Sequence, residues 1–172
     1  MKAKNYVLSF RGLKEGVHNF NYKINNQFFE VYPVEEIQNA DLLIDLQLIK
    51  KSTLLDLHFK VTGKVQLQCD VSNELFWQPI TGTLNLVVKF GQEYNDEFLD
   101  ILIVPHETYQ IDVSQYIYEM IVLAIPIKKV HPGIEDGTLQ SPVLDKLKEI
   151  QIKENKNNSS IDPRWEKLKE LT

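Results

Sequence analysis

Alternating apolar and polar residues predict a series of β-strands through the first hundred or so positions. The alternation is clearest in residues 17–24, 42–48 and 84–90, and shorter apolar strands are predicted at residues 6–10 and 101–104. Strand after strand has a single apolar face, which is typical of an antiparallel sheet or a partly closed barrel rather than of a parallel sheet buried on both faces. The fold class predicted is therefore α+β, with mostly antiparallel strands.

Two segments of this region depart from simple alternation. Residues 55–69 form one long segment with its apolar residues on one face, and Gly63 within it predicts a bulge or a bend. Residues 92–100 are acidic and predict a loop, with Phe98 as the side chain that anchors it.

A helical period replaces the alternation at about residues 112–125. Apolar side chains recur there at the i, i+3, i+4 and i+7 positions of a helix: Val113, Tyr116, Ile117, Met120, Ile121, Ala124 and Ile125. Asp112 is the predicted N-cap, and Pro126 ends the helix because it excludes the α conformation at Ile125. Val122 and Leu123 widen the apolar arc, so we expect this helix to be buried.

The last forty residues are mostly charged and predict helices. Ser141 and Pro142 mark the start of a helix that runs to Ile152, and residues 154–160 have the composition of a flexible linker. A closing helical segment starts at Asp162 as the cap with Pro163 at the first position, and places Trp165 on its apolar stripe. The predicted division is a β-rich core domain with the buried helix at 1–133, and a helical C-terminal extension at 134–172.

Composition places the chain among cytoplasmic proteins and weakens some partner classes. The single cysteine excludes an internal disulfide, the first residues lack the apolar core of a signal peptide, and no apolar run is long enough to span a membrane. The net charge of −5 argues against a protein that coats nucleic acid. The acidic excess lies in residues 61–112, which hold eight acidic and two basic side chains, and the lysine pairs at 50–51 and 128–129 are local basic patches.

Residues with catalytic or metal-binding chemistry are sparse. Cys69 is followed three positions later by Ser72, where a second thiolate would complete a C-x-x-C pair, and the histidines show no zinc-ligand spacing. The chain has no nucleophile-and-base motif and no glycine-rich phosphate loop. We therefore expect no enzymatic activity, no metal, no cofactor and no small-molecule substrate.

Several segments of the chain follow one another in the order of a known family's motifs. They are GKVQLQCDVSNELFWQPITGTLNLVVKFG, a following acidic stretch, IDVSQYIYEMIVLAIPIKKVHP and DPRWEKLKEL. Together they resemble the YceD family of large ribosomal RNA subunit accumulation proteins. The positions that match the family's motifs are Cys69, Asp112, Pro126, Lys128, Asp162 and Pro163. Val71 and Ser72 stand where many members have arginine and a second cysteine, so the chain resembles a divergent member of the Bacteroidetes type, and no metal role is carried over.

The resemblance implies a cytoplasmic, non-enzymatic factor that supports the accumulation of 23S ribosomal RNA and the large ribosomal subunit. Contact with RNA or with a large-subunit ribosomal protein is expected at Lys128, Lys129, Arg164 and Trp165. The acidic middle of the chain is suited to a basic ribosomal protein. The alternative from another class is a β-barrel that holds a small hydrophobic ligand.

Overall fold

A computed structural model describes residues 6–157 of the chain, with side chains described as far as residue 150. The strands are β1 (Val7–Ser9), β2 (Gly16–Ile24), β3 (Asn39–Lys50), β4 (Leu54–Gln68), β5 (Leu75–Gly91), β6 (Asn95–Phe98), β7 (Ile101–Pro105) and β8 (Gln110–Asp112). The helices are α1 (Asn26–Val31), α2 (Ser114–Ala124), α3 (Pro132–Glu135) and α4 (Pro142–Asn157).

Six of the strands form one sheet, in the order β2-β3-β4-β5-β7-β6. All neighbours in it are antiparallel except β5 and β7, which pair in parallel, and β1 pairs with β8 in a separate two-stranded sheet. The large sheet is open, with β2 and β6 as its edges. Of the two predicted arrangements, the antiparallel sheet is therefore the one found, and the described strands do not close into a barrel.

The described chain divides into two compact units. The first comprises residues 6–68 and 75–128, and the second comprises residues 69–74 and 129–157. The second unit thus joins the connection between β4 and β5 to the C-terminal region. The division predicted at residue 133 stays a prediction.

The core of the first unit lies on one face of the large sheet. Cross-strand neighbours such as Leu46, Phe59 and Leu84 put apolar side chains opposite one another, and the period of two that predicted the strands places every second residue on this face. Fully buried side chains on this face belong to the three longest strands: Leu42, Ile44, Leu46, Leu48, Leu55, Leu57, Phe59, Val61, Val65, Leu67, Leu86 and Val88. Burying one leucine side chain contributes about 2 kcal/mol, so this face supplies much of the stability of the fold.

Gly63 lies within β4 without interrupting its pairing. The ladder between β3 and β4 runs through it, with Leu42 opposite Gly63 and no shift of register. Its φ of +142° is one that other residues rarely adopt, and a Cβ atom here would lie 2.3 Å from the carbonyl oxygen of Asp41. The predicted bulge is therefore absent, and the positive φ favours glycine at this position.

β5 is longer than its alternation predicted. It starts at Leu75 and includes both Pro79 and Gly82, whereas the alternation predicted a strand only from residue 84. Pro79 lies in a stretch that has only β4 as its neighbour, which is where a strand tolerates proline. Gly82 faces α2, where a Cβ would lie 3.1 Å from the Cβ of Ala124, so its missing side chain permits the close approach of the helix.

α2 ends where the sequence predicts and starts slightly later. Ile125 has extended backbone angles, as Pro126 requires, and the helix stops at Ala124. Val113, not Asp112, occupies the N-cap position. The expectation that the widened apolar arc is buried is wrong for its added members, since Val122 is 37% and Leu123 is 81% exposed. The helix buries one face, through Ile117, Met120 and Ile121.

Residues 92–100, which were predicted as an acidic loop, also contain a strand. Residues 95–98 form β6, which pairs with β7 at the edge of the sheet. Phe98 is 56% exposed and therefore does not anchor the segment as expected. Among the residues described, no helix is long and apolar enough to cross a membrane.

The second unit contains the two C-terminal helices that the structure describes. α4 begins at Pro142 as predicted and continues to Asn157, so residues 154–157 of the predicted linker belong to this helix. α3 is a single turn that starts at Pro132, where the Nδ1 atom of His131 accepts the N–H of Gly133 at 2.9 Å. The rest of the predicted linker and the closing segment from Asp162 lie outside the described residues.

Candidate functional site

The predicted contact residues at the end of α2 fall on different units. Lys128 is exposed at the end of the first unit, next to the fully exposed Ile127, as its position after Pro126 predicted. Lys128 is therefore available to a partner. Arg164 and Trp165, together with the family-motif positions Asp162 and Pro163, lie outside the described residues.

Lys129 is held by Asp70 within the second unit. Its backbone N–H donates to Oδ2 of Asp70 at 2.8 Å, and its carbonyl oxygen accepts the N–H of Asp70 at 2.8 Å. The ammonium group lies 3.9 Å from Oδ1 of Asp70, and the Lys129 side chain is only 16% exposed. Lys129 is therefore less exposed than a contact residue would be, because it binds the connection between β4 and β5, and its role in partner contact stays a prediction.

Cys69 is the centre of a second group of contacts in the same unit. Its Sγ atom accepts the backbone N–H groups of Val71 and Ser72 at 3.5 Å and that of His131 at 3.3 Å. Burial raises the pKa of the thiol, but hydrogen bonds from the Ser72 hydroxyl and from these three N–H groups lower it more, so the net pKa lies below its ordinary value. The thiol thus has a structural role, as the acceptor that fixes the loop and the segment at His131.

Metal ligation has no support from the described side chains around Cys69. Ser72 stands where a C-x-x-C pair has its second cysteine, and its buried hydroxyl bonds to the thiol of Cys69 instead. No group of three or more histidine, cysteine or carboxylate side chains among the described residues is placed to hold a metal ion.

A cavity of about 500 Å³ lies in the first unit, beside the start of α2. Three tyrosines line it: Tyr32 after α1, Tyr94 before β6, and Tyr116 in α2. Leu102 and Val104 of β7 and Ile111 are its apolar lining residues, and the polar ones are Thr108, Gln110, Asp112, Ser114 and Gln115. Neither lysine nor arginine is among its lining residues. Sequence reasoning did not find this site, because Tyr32 and the start of α2 are far apart in the chain.

One wall of the cavity is a chain of three hydrogen-bonded side chains. The hydroxyl of the buried Ser114 donates to Oδ1 of Asp112, so its oxygen accepts from the hydroxyl of Tyr32, at 2.6 Å. The same Oδ1 also accepts the backbone N–H of Ser114 at 3.0 Å. The predicted capping role of Asp112 is thus performed one position outside the N-cap, and the exposed Asp112 keeps its other carboxylate oxygen, Oδ2, without a donor among the described residues.

The electrostatic environment of the cavity is negative. The pKa of Tyr116 is raised to about 12, first by burial and then by the neighbouring Tyr94, Asp96 and Glu119. Burial also raises the pKa of Tyr94, with a further increase from Asp96, which accepts a hydrogen bond from its hydroxyl at 3.3 Å. These carboxylates disfavour any further negative charge, so the cavity is suited to a neutral or cationic group.

The sequence around the cavity carries one sign of charge. Residues 90–127 contain seven carboxylates and neither lysine nor arginine. Six of the seven are exposed: Glu93, Asp96, Glu97, Asp100, Glu107 and Asp112. None of the seven forms an ion pair with a described residue. We call residues 90–127 the acidic segment. Its lack of lysine and arginine was a visible signal in the sequence.

A second concave surface lies on the other face of the large sheet, and its character differs. Its central row crosses four strands and consists of Asn19, Gln47, His58 and Asn85. Gln47 donates a hydrogen bond to Asn19 at 3.4 Å, and His58 and Asn85 are hydrogen-bonded at 2.8 Å. Polar uncharged groups dominate this face, and Asp45 lies opposite Lys60. The two surfaces therefore differ in charge, and only the tyrosine-lined cavity is surrounded by carboxylates.

Comparison with known proteins identifies one family. The family model described as "Large ribosomal RNA subunit accumulation protein YceD" matches residues 57–172, which is more than half of the chain. The match includes β4 from residue 57 onwards, the acidic segment, and the helices α3 and α4. A search of curated proteins and a search of solved structures each found no significant match.

Proposed function

We propose that this chain, which belongs to the YceD family of large ribosomal RNA subunit accumulation proteins, is a non-enzymatic factor that supports 23S ribosomal RNA accumulation by binding a basic protein of the large subunit. The observation that carries this mode of binding is the acidic segment. Its six exposed carboxylates form no ion pair with a described residue, so their charges are available to basic side chains of another protein.

The charge of the acidic segment favours a protein partner over RNA. Each phosphate that a protein neutralises requires a lysine or arginine, and the acidic segment has neither. The predicted basic patch at residues 128–129 is also smaller than expected, because Lys129 is paired with Asp70 and only Lys128 of the pair is exposed. Direct contact with RNA through this patch therefore has less support than contact with a basic protein through the acidic segment.

The absence of catalysis in this proposal is supported by the chemistry of the cavity. The chain of Tyr32, Ser114 and Asp112 has a hydroxyl bonded to a carboxylate, but no histidine stands between them to accept a proton from the hydroxyl. The alternative of a barrel that holds a hydrophobic ligand loses its structural basis, because the sheet is open and its apolar face is packed.

The first test is depletion of the protein in its own cells. We expect lower levels of mature 23S ribosomal RNA and of the large subunit, measured by RNA blotting and by sucrose-gradient profiles. Unchanged levels of the large subunit and of its precursor RNA would contradict a role in accumulation.

The binding mode is tested by affinity capture after crosslinking in cells, followed by identification of bound proteins and sequencing of bound RNA. We expect a basic large-subunit protein to be captured by the natural chain and lost from the variant Asp96→Lys with Glu97→Lys. The matched control is Glu15→Lys with Glu30→Lys, which changes the net charge equally at two exposed positions outside the acidic segment. Capture of RNA alone, unaffected by the first variant, would overturn the binding mode.

A further inference from the structure

The tyrosine-lined cavity has the chemistry of a site for a cationic side chain and is large enough to hold one. We propose that it accepts an arginine, or less strongly a lysine, from an exposed segment of a basic protein. This inference rests on the proposed function, because it names the group by which the basic partner is recognised. The cavity volume of about 500 Å³ lies within the range of protein sites that enclose small ligands.

The aromatic lining explains why a cation would enter. Tyr32, Tyr94 and Tyr116 come from three separate parts of the first unit and converge on one cavity. Cations are attracted to the faces of aromatic rings, and several rings around one cavity are the usual way in which proteins recognise an organic cation. Tyr94 is 59% exposed, so its ring stands at the solvent side of the cavity rather than in the core.

Asp112 supplies the ionic contact. Its Oδ1 atom is fixed by the N–H and hydroxyl of Ser114, and this fixation leaves Oδ2 for an incoming donor. A carboxylate held in one orientation suits a guanidinium group, which donates from a rigid planar fork and also stacks on aromatic rings. Arginine is therefore expected to bind more tightly than lysine.

The surrounding charge selects the kind of partner. Asp96 and Glu119 lie close enough to Tyr116 to raise its pKa, and no lining residue is basic. A base of RNA could stack on the same tyrosines, but the phosphates of the RNA backbone would be repelled by the carboxylates of the acidic segment. A peptide segment that carries arginine matches both the rings and the charge.

The experiment is an isothermal titration of the full chain with three ten-residue peptides of glycine and serine. The first carries three arginines, the second three lysines, and the third three citrullines, which keep the shape of arginine without its charge. We expect the order arginine, lysine, citrulline, with no measurable binding of the last. A ten-nucleotide RNA and free arginine are titrated alongside to separate a peptide from a nucleic acid or a small cation.

Two variants test the cavity, and one tests the alternative of diffuse attraction. Asp112→Asn keeps the acceptor for the Ser114 N–H but removes the charge, and Tyr94→Leu removes an exposed ring. Each is expected to weaken the arginine peptide about tenfold. Asp100→Asn removes the same charge at an exposed position that does not line the cavity, and is expected to change affinity less than twofold.

A variant at Tyr116 checks that the ring, rather than its hydroxyl, is what binds. Tyr116→Phe should keep the affinity and Tyr116→Leu should reduce it, with far-UV circular dichroism and a thermal melt showing that both are folded. If Tyr116→Leu does not fold, Tyr94→Leu provides the same test at an exposed position.

Equal losses from Asp112→Asn and Asp100→Asn, or an unchanged affinity in Tyr94→Leu, would overturn the cavity as the site. Tighter binding of the RNA than of the arginine peptide would also overturn it, as would free arginine binding as tightly as the peptide. The proposed function fails separately: it fails if crosslinking captures no basic large-subunit protein with the natural chain. If that capture persists in the Tyr94→Leu and Asp112→Asn variants, the proposed function stands and the cavity is not its recognition site.

Discussion

Replacing Gly63 with alanine tests how strictly the sheet depends on one backbone conformation. The Cβ added at this position would lie 2.3 Å from the carbonyl oxygen of Asp41 and 2.9 Å from the Cα of Leu42. Both atoms belong to the backbone of β3, which is also paired on its other side with β2. The clash therefore cannot be relieved by rotating a side chain.

Relief requires that β3 and β4 separate by about 1 Å around this point, or that the φ of +142° is abandoned. Either change weakens hydrogen bonds of a central ladder and disturbs Leu42, which is fully buried. We expect the free energy of unfolding to fall by about 3–5 kcal/mol, among the largest losses for a single substitution. Since whole domains are stable by about 5–15 kcal/mol, the variant should fold only marginally at 37 °C.

Urea unfolding followed by circular dichroism measures the loss. With a slope of about 2 kcal/mol per molar, the midpoint should fall by about 1.5–2.5 M. Gly12→Ala is the matched control, because a Cβ there meets nothing within 4 Å, and its midpoint should stay within about 0.3 M of the natural chain. A Gly63→Ala midpoint within that same margin would refute the reasoning, since it would mean that the strands shift apart at no cost.

Other predictions follow from the pairs and shifts of pKa described above. Lys129→Glu should lower the melting temperature by several degrees, because it sets a second carboxylate beside Asp70, whereas Lys128→Glu should leave it unchanged; equal calorimetric melts for the two would contradict the pairing. Tyr116 should ionise near pH 12 in an absorbance titration. Its contribution to stability is therefore complete below pH 10 and is lost as the pH rises to about 12. A Tyr116→Phe variant that still shows the ionisation step at the highest pH would refute this assignment. The pKa of the Cys69 thiol is lowered in the folded protein, so its contribution to stability is complete above pH 9 and is lost as the pH falls through the folded pKa. The urea midpoint of the natural chain should therefore rise towards pH 9 relative to the midpoint of Cys69→Ala. Midpoints of the two proteins that change in parallel with pH would argue against a stabilised thiolate.

Local rules predicted the parts of the fold that depend on local sequence. The alternation of apolar and polar residues predicted which face of each of the four longest strands lies towards the core, and Pro126 predicted the end of α2. Both signals act within a few residues. The strands that were missed, β6 and β8, have only four and three residues. Their pairing is with β7 and β1, so tertiary context and not their own sequence determines them.

Burial on the wide side of α2 was predicted wrongly for a related reason. Hydropathy alone made Val122 and Leu123 look like core residues, but a helix that lies on a single sheet buries one face only. The number of layers in a domain is a property of the whole chain. The apolar arc of one helix does not reveal it.

The candidate sites show the same limit. Asp70 captures Lys129 across 59 positions of sequence, and Tyr32 reaches Ser114 across 82, so neither contact leaves a local pattern. The charge of residues 90–127 was different, because a run without lysine or arginine is visible in the sequence itself. What the sequence lacked was the cavity that the segment surrounds.

The pairing of Lys129 with Asp70 makes the basic patch at residues 128–129 a weaker candidate contact surface than the acidic segment. An RNA contact made by Lys128 alone would release about one counterion, which gives only a weak dependence of affinity on salt and little binding at physiological ionic strength. The acidic segment presents six exposed carboxylates around a site with a fixed acceptor and three aromatic rings. In the proposed mode of binding, the attraction of the acidic segment to a basic protein adds over several charges and is focused where Asp112 keeps Oδ2 open. That mode therefore favours contact with RNA through a bound basic protein over direct contact at Lys128.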